Sequence, residues 1–487
     1  MTYIRNQICL GLIALVCVAS CKHKANVLPE AETDGFPTEI SNIFINRCAT
    51  AGCHNAQSHT AAGDLRLDSW SALFETGING AVVVPYSIDN SSLLYFINTH
   101  AELGPMAEPR MPLDNTPLTK EEYLTIRDWI AKGAPDKNGN IPFASNAETR
   151  QKIYMTMQGC DLVAVVDAQK KVVMRYIPVG KINTIETPDH IVVSPDGMYA
   201  YVCFWNGNYI QKIDTRTDNV VGEVNMGNAY WKTLQISDDG TKLAATSWRS
   251  QSLVVINTAT MQIDYTLGNG NLESPEAILA NASFDTFYVS SMFGNTVYKL
   301  AKGYQKAVSV DANAPSTLAI ANSPDPYRLT WSPDRKKYFA SCQNTDEVRV
   351  MDATTDKAIT TIATGKRPQE MVACKNKPYL IVTCTGDTTD ATSVGSVHII
   401  NYNTYETIKR IEGTLFQPYG IAVDERNNQF IITNRNQASK GPSPHHSSPC
   451  SGRNGYYMVY DLNTLAPVNA IRYEVSVDPY AAAIRFR

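Results

Sequence analysis

The stretch Cys48-Ala49-Thr50-Ala51-Gly52-Cys53-His54 combines residue types at a spacing that could do chemistry. Two thiols beside an imidazole can add across the two vinyl groups of a haem as thioethers while the histidine ligates the iron; the usual spacing is Cys-x-x-Cys-His. Here four residues separate the cysteines. Two extra residues can bulge outward without moving either sulfur, and Gly52 among small neighbours suits such a bulge. The rival readings are a disulfide or a zinc site. A structural zinc wants four Cys or His ligands, and only His59 and His100 lie near enough in sequence to complete a set. The expectation is one covalent haem c, attached at Cys48 and Cys53 with His54 as the proximal ligand.

Something must hold that stretch in place. Ahead of it, Ile40, Ile43 and Phe44 recur at helical spacing after Pro37-Thr38, which predicts an amphipathic helix running into Cys48. Behind it, Thr119 and Glu122 have the spacing of a capping box. Leu124, Ile126, Trp129 and Ile130 continue a closing helix that stops at Gly133 and Pro135. From about Phe36 to Pro135 the chain resembles a class of small cytochrome c domains common on planctomycete and Bacteroidetes exported proteins. The resemblance implies a small all-α domain over residues 36–137, with the distal methionine in the segment Arg110-Met111-Pro112. Met111 is then the sixth iron ligand, in a loop whose prolines fix backbone dihedrals. Met106, after Gly104-Pro105, is the competitor, and either methionine could simply fill the core. His59 and His100 read as surface residues, with bis-histidine ligation as the rival.

The beginning of the chain is not fold. Arg5, the apolar run from Ile8 to Val18 and Ala19-Ser20-Cys21 form a secretion signal over residues 1–20, too short for a membrane span. Val18-Ala19-Ser20-Cys21 resembles a lipobox, which implies acylation at Cys21, a tether over residues 21–35 and a bacterial cell-envelope protein. With no acidic residue after the cysteine, similarity to other lipoproteins points to the outer membrane, facing the periplasm. The 43 basic and 47 acidic residues leave a net charge of −4 without a basic cluster, which argues against nucleic acid.

The rest of the chain repeats. An apolar strand followed by an Asx turn and a threonine recurs at Ile213-Asp214, Ile256-Asn257, Met351-Asp352, Ile400-Asn401 and Tyr460-Asp461. Val166-Asp167 is a partial first copy and Leu300-Ala301 a degenerate fourth. A second phrase recurs at Pro188-Asp189-His190, Tyr230-Trp231-Lys232, Pro275-Glu276-Ala277, Pro326-Tyr327-Arg328, Pro368-Gln369-Glu370, Pro418-Tyr419-Gly420 and Pro479-Tyr480-Ala481. Seven copies of each, offset by a strand, predict a seven-bladed all-β propeller over residues 150–487, closed by the C-terminal strand 478–487. Tyr201-Val202-Cys203-Phe204-Trp205-Asn206 and Phe430-Ile431-Ile432-Thr433-Asn434 resemble the YVTN family of propellers. Such a likeness specifies fold rather than chemistry.

His190, Trp231, Lys232, Arg328 and Tyr419 begin inner strands and should ring one end of the central channel. Related propellers in cytochrome-type nitrite reductases place a second haem there; nothing in this sequence demands one. The insertion Gln437–Tyr456, with His445, His446 and Cys450, reads as a flexible surface loop. Cys203, Cys342 and Cys384 sit in apolar strands and read as buried small hydrophobes. The pairing of these with Cys160, Cys374 and Cys450 stays open.

Three function classes remain: a membrane-anchored cytochrome exchanging electrons with a redox partner protein, an oxidoreductase with its active site on the propeller, and a ligand-binding or sensing propeller. The first needs only the haem, and no nucleophile–base pair, metal-ligand cluster or nucleotide loop supports the second.

Overall fold

A computed structural model describes residues 34–486, except 76, 183, 319–320, 391–392, 439–440, 444–445, 449 and 451. Cys21, its leader and His445 lie outside the described residues.

The N-terminal domain is held by short helices around an aromatic core. Helix α1, Thr38–Ile43, passes directly into a π-helical turn, Phe44–Cys48. The wider turn shifts the helical phase by one residue, and Ile40, Ile43, Phe44 and Cys48 are all buried. Helices α2, Trp70–Leu73, and α3, Ser92–Ile97, lead to the closing helix α4, Lys120–Ala131. The capping box at its start is formed: the Glu122 backbone N–H donates to Thr119 Oγ1 at 3.2 Å and the Thr119 N–H donates to Glu122 Oε2 at 2.8 Å. Phe36, Phe44 and Trp129 pack edge to face with centroids 5.2–6.1 Å apart.

Seven antiparallel sheets follow, and together they form the propeller. Blade 1 takes Lys152–Met157, Leu162–Asp167 and Val172–Pro178 from the start of this region and its innermost strand, Pro479–Arg485, from the chain end. The inner strands of blades 2 to 7 are Pro188–Val193, Trp231–Ile236, Pro275–Ala280, Pro326–Trp331, Pro368–Ala373 and Pro418–Asp424. Sharing one blade between the two ends leaves no open edge at the closure. Arg485 seals it: fully buried, it donates to the carbonyls of Gly197, Ala147, Arg150 and Glu148 at 2.8–3.0 Å.

The Asx turns form because a short carboxylate or amide accepts from the backbone two and three residues on. Asp167, Asn257, Asp352, Asn401 and Asp461 each accept two such N–H groups, and Asp214 accepts from Arg216. In blade 4 the device is replaced. Ala301 pairs with Tyr304 across a two-residue turn in which Gly303 supplies φ +73°.

The helical domain sits on blades 1 and 7. Val84 is buried among Ile153, Met155, Tyr457 and Tyr473. The Glu474 N–H donates to the Asn79 carbonyl at 2.9 Å, and the Arg175 guanidinium lies 5.2 Å from the Tyr86 ring centre.

Candidate functional site

Cys48 ends the π-turn and Cys53 follows a tight reversal in which its N–H donates to the Thr50 carbonyl at 3.0 Å. Ala51 and Gly52 lie exposed between them, and Gly52 adopts φ +82°, a conformation that favours glycine. The two extra residues therefore do bulge into solvent. The His54 N–H reaches back to the Cys48 carbonyl at 3.1 Å, tying the imidazole to the first cysteine.

The two thiols are not bridged to each other. Cys48 is buried, and burial pushes its thiol up to about 12, so it stays protonated. His54 Nδ1 lies 3.3 Å from the Leu65 carbonyl, and the His54 carbonyl accepts from Leu67 N–H at 2.8 Å. Burial lowers the imidazole below the ordinary histidine value and keeps it neutral, although its backbone hydrogen bonds to Leu65 and Ala62 oppose the shift. A neutral imidazole whose Nδ1–H donates to a carbonyl has its Nε2 lone pair available, the arrangement usual for a metal-ligating histidine.

Two further contacts fix the surroundings. Arg47, beside Cys48, donates to Glu122 Oε1 at 3.0 Å and to the Thr116 and Pro117 carbonyls at 2.7 and 3.1 Å, fastening the cysteine to the start of α4. The Met111 N–H donates to the Phe96 carbonyl at 2.8 Å, and the Met111 side chain packs against the core cluster that contains Cys48. Met106 is 47% exposed. His59 pairs with Asp64 at 2.8 Å, and the His100 N–H donates to Asn98 Oδ1 at 2.9 Å. Among the described residues, no group of three or more His, Cys, Asp or Glu side chains is arranged to hold a metal ion.

Residues 51–107 match the family model described as planctomycete cytochrome C. The matched stretch holds Cys53, His54 and Met106; Cys48 and Met111 flank it. Among curated proteins none matches. Of solved structures, the Kuenenia stuttgartiensis hydrazine synthase is 20% identical, with a TM-score of 0.45 over 58% of this chain and 81% of that one. A functionally unknown protein from Desulfotomaculum acetoxidans is 11% identical, with a TM-score of 0.49 over 67% of this chain and 99% of that one. The chain thus carries a small helical cytochrome-like domain followed by a seven-bladed propeller.

In the propeller the five residues expected at the channel mouth do different things. Trp231 is not at the channel. It is buried between blades 2 and 3 among Tyr201, Cys203 and Leu234, its indole N–H donating to the Asn228 carbonyl at 2.6 Å. Lys232 and Tyr419 belong to a plug made from the second residue of each inner strand: Asp189, Lys232, Glu276, Tyr327, Gln369, Tyr419 and Tyr480, all buried. Tyr327, of blade 5, is 2.7 Å from the Tyr419 hydroxyl of blade 7 and 3.0 Å from the Tyr480 hydroxyl of blade 1, so these side chains meet across the axis. Lys232 bridges Asp189 at 3.3 Å and Glu276 at 3.7 Å. Burial works against its charge, but Asp189 and Glu276 more than offset this and hold it above the ordinary lysine value.

Arg328 reaches across one layer deeper. It touches Thr233 Oγ1 at 2.6 Å, Glu276 at 3.3 Å, Glu370 at 3.2 Å and the Tyr419 hydroxyl at 3.4 Å, joining five blades. His190 lies in the same layer and accepts the Leu234 N–H at Nδ1, 3.4 Å away. Burial, with Arg328 and Lys232 nearby, holds it down at about 3.

Two described residues tie down the insertion Gln437–Tyr456. Cys450 is bonded to Cys160, 290 residues away. His446 Nδ1 sits 2.9 Å from the Glu474 carboxylate, and its ring packs edge to face on Phe96 at 5.3 Å. Cys203, Cys342, Cys374 and Cys384 are free and buried.

Proposed function

We propose that this chain is a c-type cytochrome that exchanges electrons with a partner protein at the bacterial cell envelope, acylated at Cys21 and facing the periplasm from the outer membrane. The propeller is its docking platform. The observation that carries the reading is the neutral His54, with Nδ1 held by the Leu65 carbonyl and Nε2 left to ligate, directly after Cys53 and tied by its N–H to Cys48, both thiols being unbridged; residues 51–107, which hold Cys53 and His54, match a cytochrome family. The residues fit haem c: Cys48 and Cys53 to form the thioethers, His54 as the proximal ligand and Met111 as the distal one. A bound haem would supply one-electron exchange at its iron.

The chain's own groups prepare the site. Arg47 and Glu122 hold the first cysteine against α4, while the Phe96 carbonyl anchors the Met111 loop. Phe44, Leu67, Leu94 and Ile97 share a buried apolar cluster with Cys48, and apolar surroundings would raise the potential of an iron centre by disfavouring its extra charge.

The distal ligand is tested by spectroscopy on the oxidised and dithionite-reduced protein. Met111→Ala is expected to abolish the weak long-wavelength band of a thioether–iron bond and to lower the reduction potential, since His/Met ligation favours the ferrous state. Met106→Ala leaves both unchanged. The reverse pattern, or loss of the band in neither variant, overturns the assignment of Met111.

A further inference from the structure

Beyond the plug, the propeller axis opens into a cavity of about 350 Å³. Its walls mix the aliphatic later residues of the inner strands, among them Val192, Ile236, Val372, Ala483 and Ile484, with polar surface that includes the Gln235 amide. Its floor is polar and formed by His190, Thr233, Arg328 and Glu370. A concave volume above about 300 Å³ in which aliphatic side chains meet a few convergent polar groups has the size of a small-molecule site.

The floor's chemistry restricts what fits. Because His190 Nδ1 accepts the Leu234 N–H, a neutral ring carries its proton on Nε2, which has no protein partner among the described residues. Arg328 spends Nε on Glu370 and Nη1 on Thr233 and Glu276; only a 3.4 Å contact with Tyr419 uses Nη2. The floor thus offers N–H donors from two side chains. It does not offer spare positive charge, because the two cations Arg328 and Lys232 already face three carboxylates, Glu370, Glu276 and Asp189. An anionic ligand would lie beside the Glu370 carboxylate without a free counter-ion, which is costly in a desolvated pocket. A cationic ligand would face the guanidinium. A neutral oxygen acceptor meets the donors without either cost.

We propose that the channel binds a neutral, mainly apolar ring compound bearing a carbonyl oxygen, with the oxygen on His190 and Arg328 and the rings against the aliphatic walls. The site is independent of the haem assignment, since it uses propeller residues alone.

The test is titration calorimetry of the full-length protein with three probes sharing one bicyclic skeleton: α-tetralone, tetralin carboxylate and protonated aminotetralin. The expected result is binding of one α-tetralone per chain, at least tenfold tighter than either charged probe. His190→Leu, which keeps bulk and removes the donor, should weaken α-tetralone at least fivefold. Ala483→Trp, which fills the cavity from its wall, should abolish binding. Unfolding curves report whether each variant is folded, and two variants on different strands guard against one failing to fold. No α-tetralone binding by the wild type means a water-filled channel and overturns the proposal. So does equal binding of all three probes, tighter binding of a charged probe, or wild-type affinity in both folded variants.

Discussion

Seven consecutive residues, Cys48 to His54, carry the chemistry of the helical domain, whereas the channel plug draws one residue from each of seven strands spread between Asp189 and Tyr480. The first is held by contacts that are mostly close in sequence: Cys53 N–H to Thr50, His54 N–H to Cys48, His54 Nδ1 to Leu65. The second exists only when the ring is closed, because Tyr327 and Arg328 make their bonds to blades that are not their neighbours. A local site of this kind depends on one turn forming correctly and on its cofactor. A plug of this kind depends on the whole propeller and in turn ties its blades together.

The strongest way to break that contrast is to open the ring where the chain ends meet. Arg485→Met leaves the carbonyls of Gly197, Ala147, Glu148 and Arg150 without their donor. A buried carbonyl stranded this way, as that of Gly197 is, costs about 1–3 kcal/mol, and the three partly buried ones cost less each. The expected loss is on the order of 4 kcal/mol in urea unfolding monitored by tyrosine and tryptophan fluorescence, with haem attachment retained in the protein that folds. Unchanged stability would show that the closure does not rest on Arg485.

A smaller effect is expected at the junction of the two domains. Cys160 and Cys450 close a loop of 290 residues and pin the insertion whose His446 packs on Phe96. Removing a native crosslink typically costs about 2–4 kcal/mol. Cys160→Ser with Cys450→Ser should therefore lower the melting temperature, and should increase amide exchange around Phe96 and Glu474 more than in blades 3 to 5. Uniform exchange throughout would contradict a local clamp.

The smallest effect is a pH dependence. The Glu474 carboxylate holds His446 above its ordinary value of 6.5, against the opposing effect of burial. Its contribution is fully present below about 6.5 and is lost as the pH rises through the folded-state value. Wild-type stability should thus fall from mildly acid toward alkaline pH more than that of His446→Gln, as read by unfolding midpoints at a series of pH values. Parallel curves would remove this pair from the account.

How far these features could be read in the sequence follows the same division. The Cys48–His54 stretch, the capping box of Thr119 and Glu122, and the outward bulge at Gly52 were legible because each is a contact over a few residues. The blades were legible because Asp and Asn mark six of the seven hairpins; the one at Leu300-Ala301 reads only as a degenerate copy because Gly303 makes the turn by another route. The channel was half legible. The phrase beginning each inner strand was recognised, but its register was not: the second residue faces the plug, the third the cavity floor, and the first, as Trp231 shows, the packing between blades. Reading down the second position would have found Asp189, Glu276, Tyr327, Gln369 and Tyr480, which were missed. The Cys160–Cys450 pair and the docking of His446 on Phe96 join parts of the chain hundreds of residues apart, and no local pattern marks them. The widening of α1 into a π-turn is likewise set by the packing of Phe44 and Cys48, not by propensity.

The central claim is that Cys48 and Cys53 hold a haem through covalent bonds, and the most direct measurement is haem-dependent peroxidase staining of the denatured protein on a gel, after expression with the haem c attachment machinery. The account predicts a stained band at the full-length position for the wild type. It predicts loss of the band in the double variant Cys48→Ala with Cys53→Ala, and its persistence in Met111→Ala. Colour that is lost from the wild type on denaturation would contradict covalent attachment, and a purified protein holding zinc without haem would contradict the cytochrome reading as a whole.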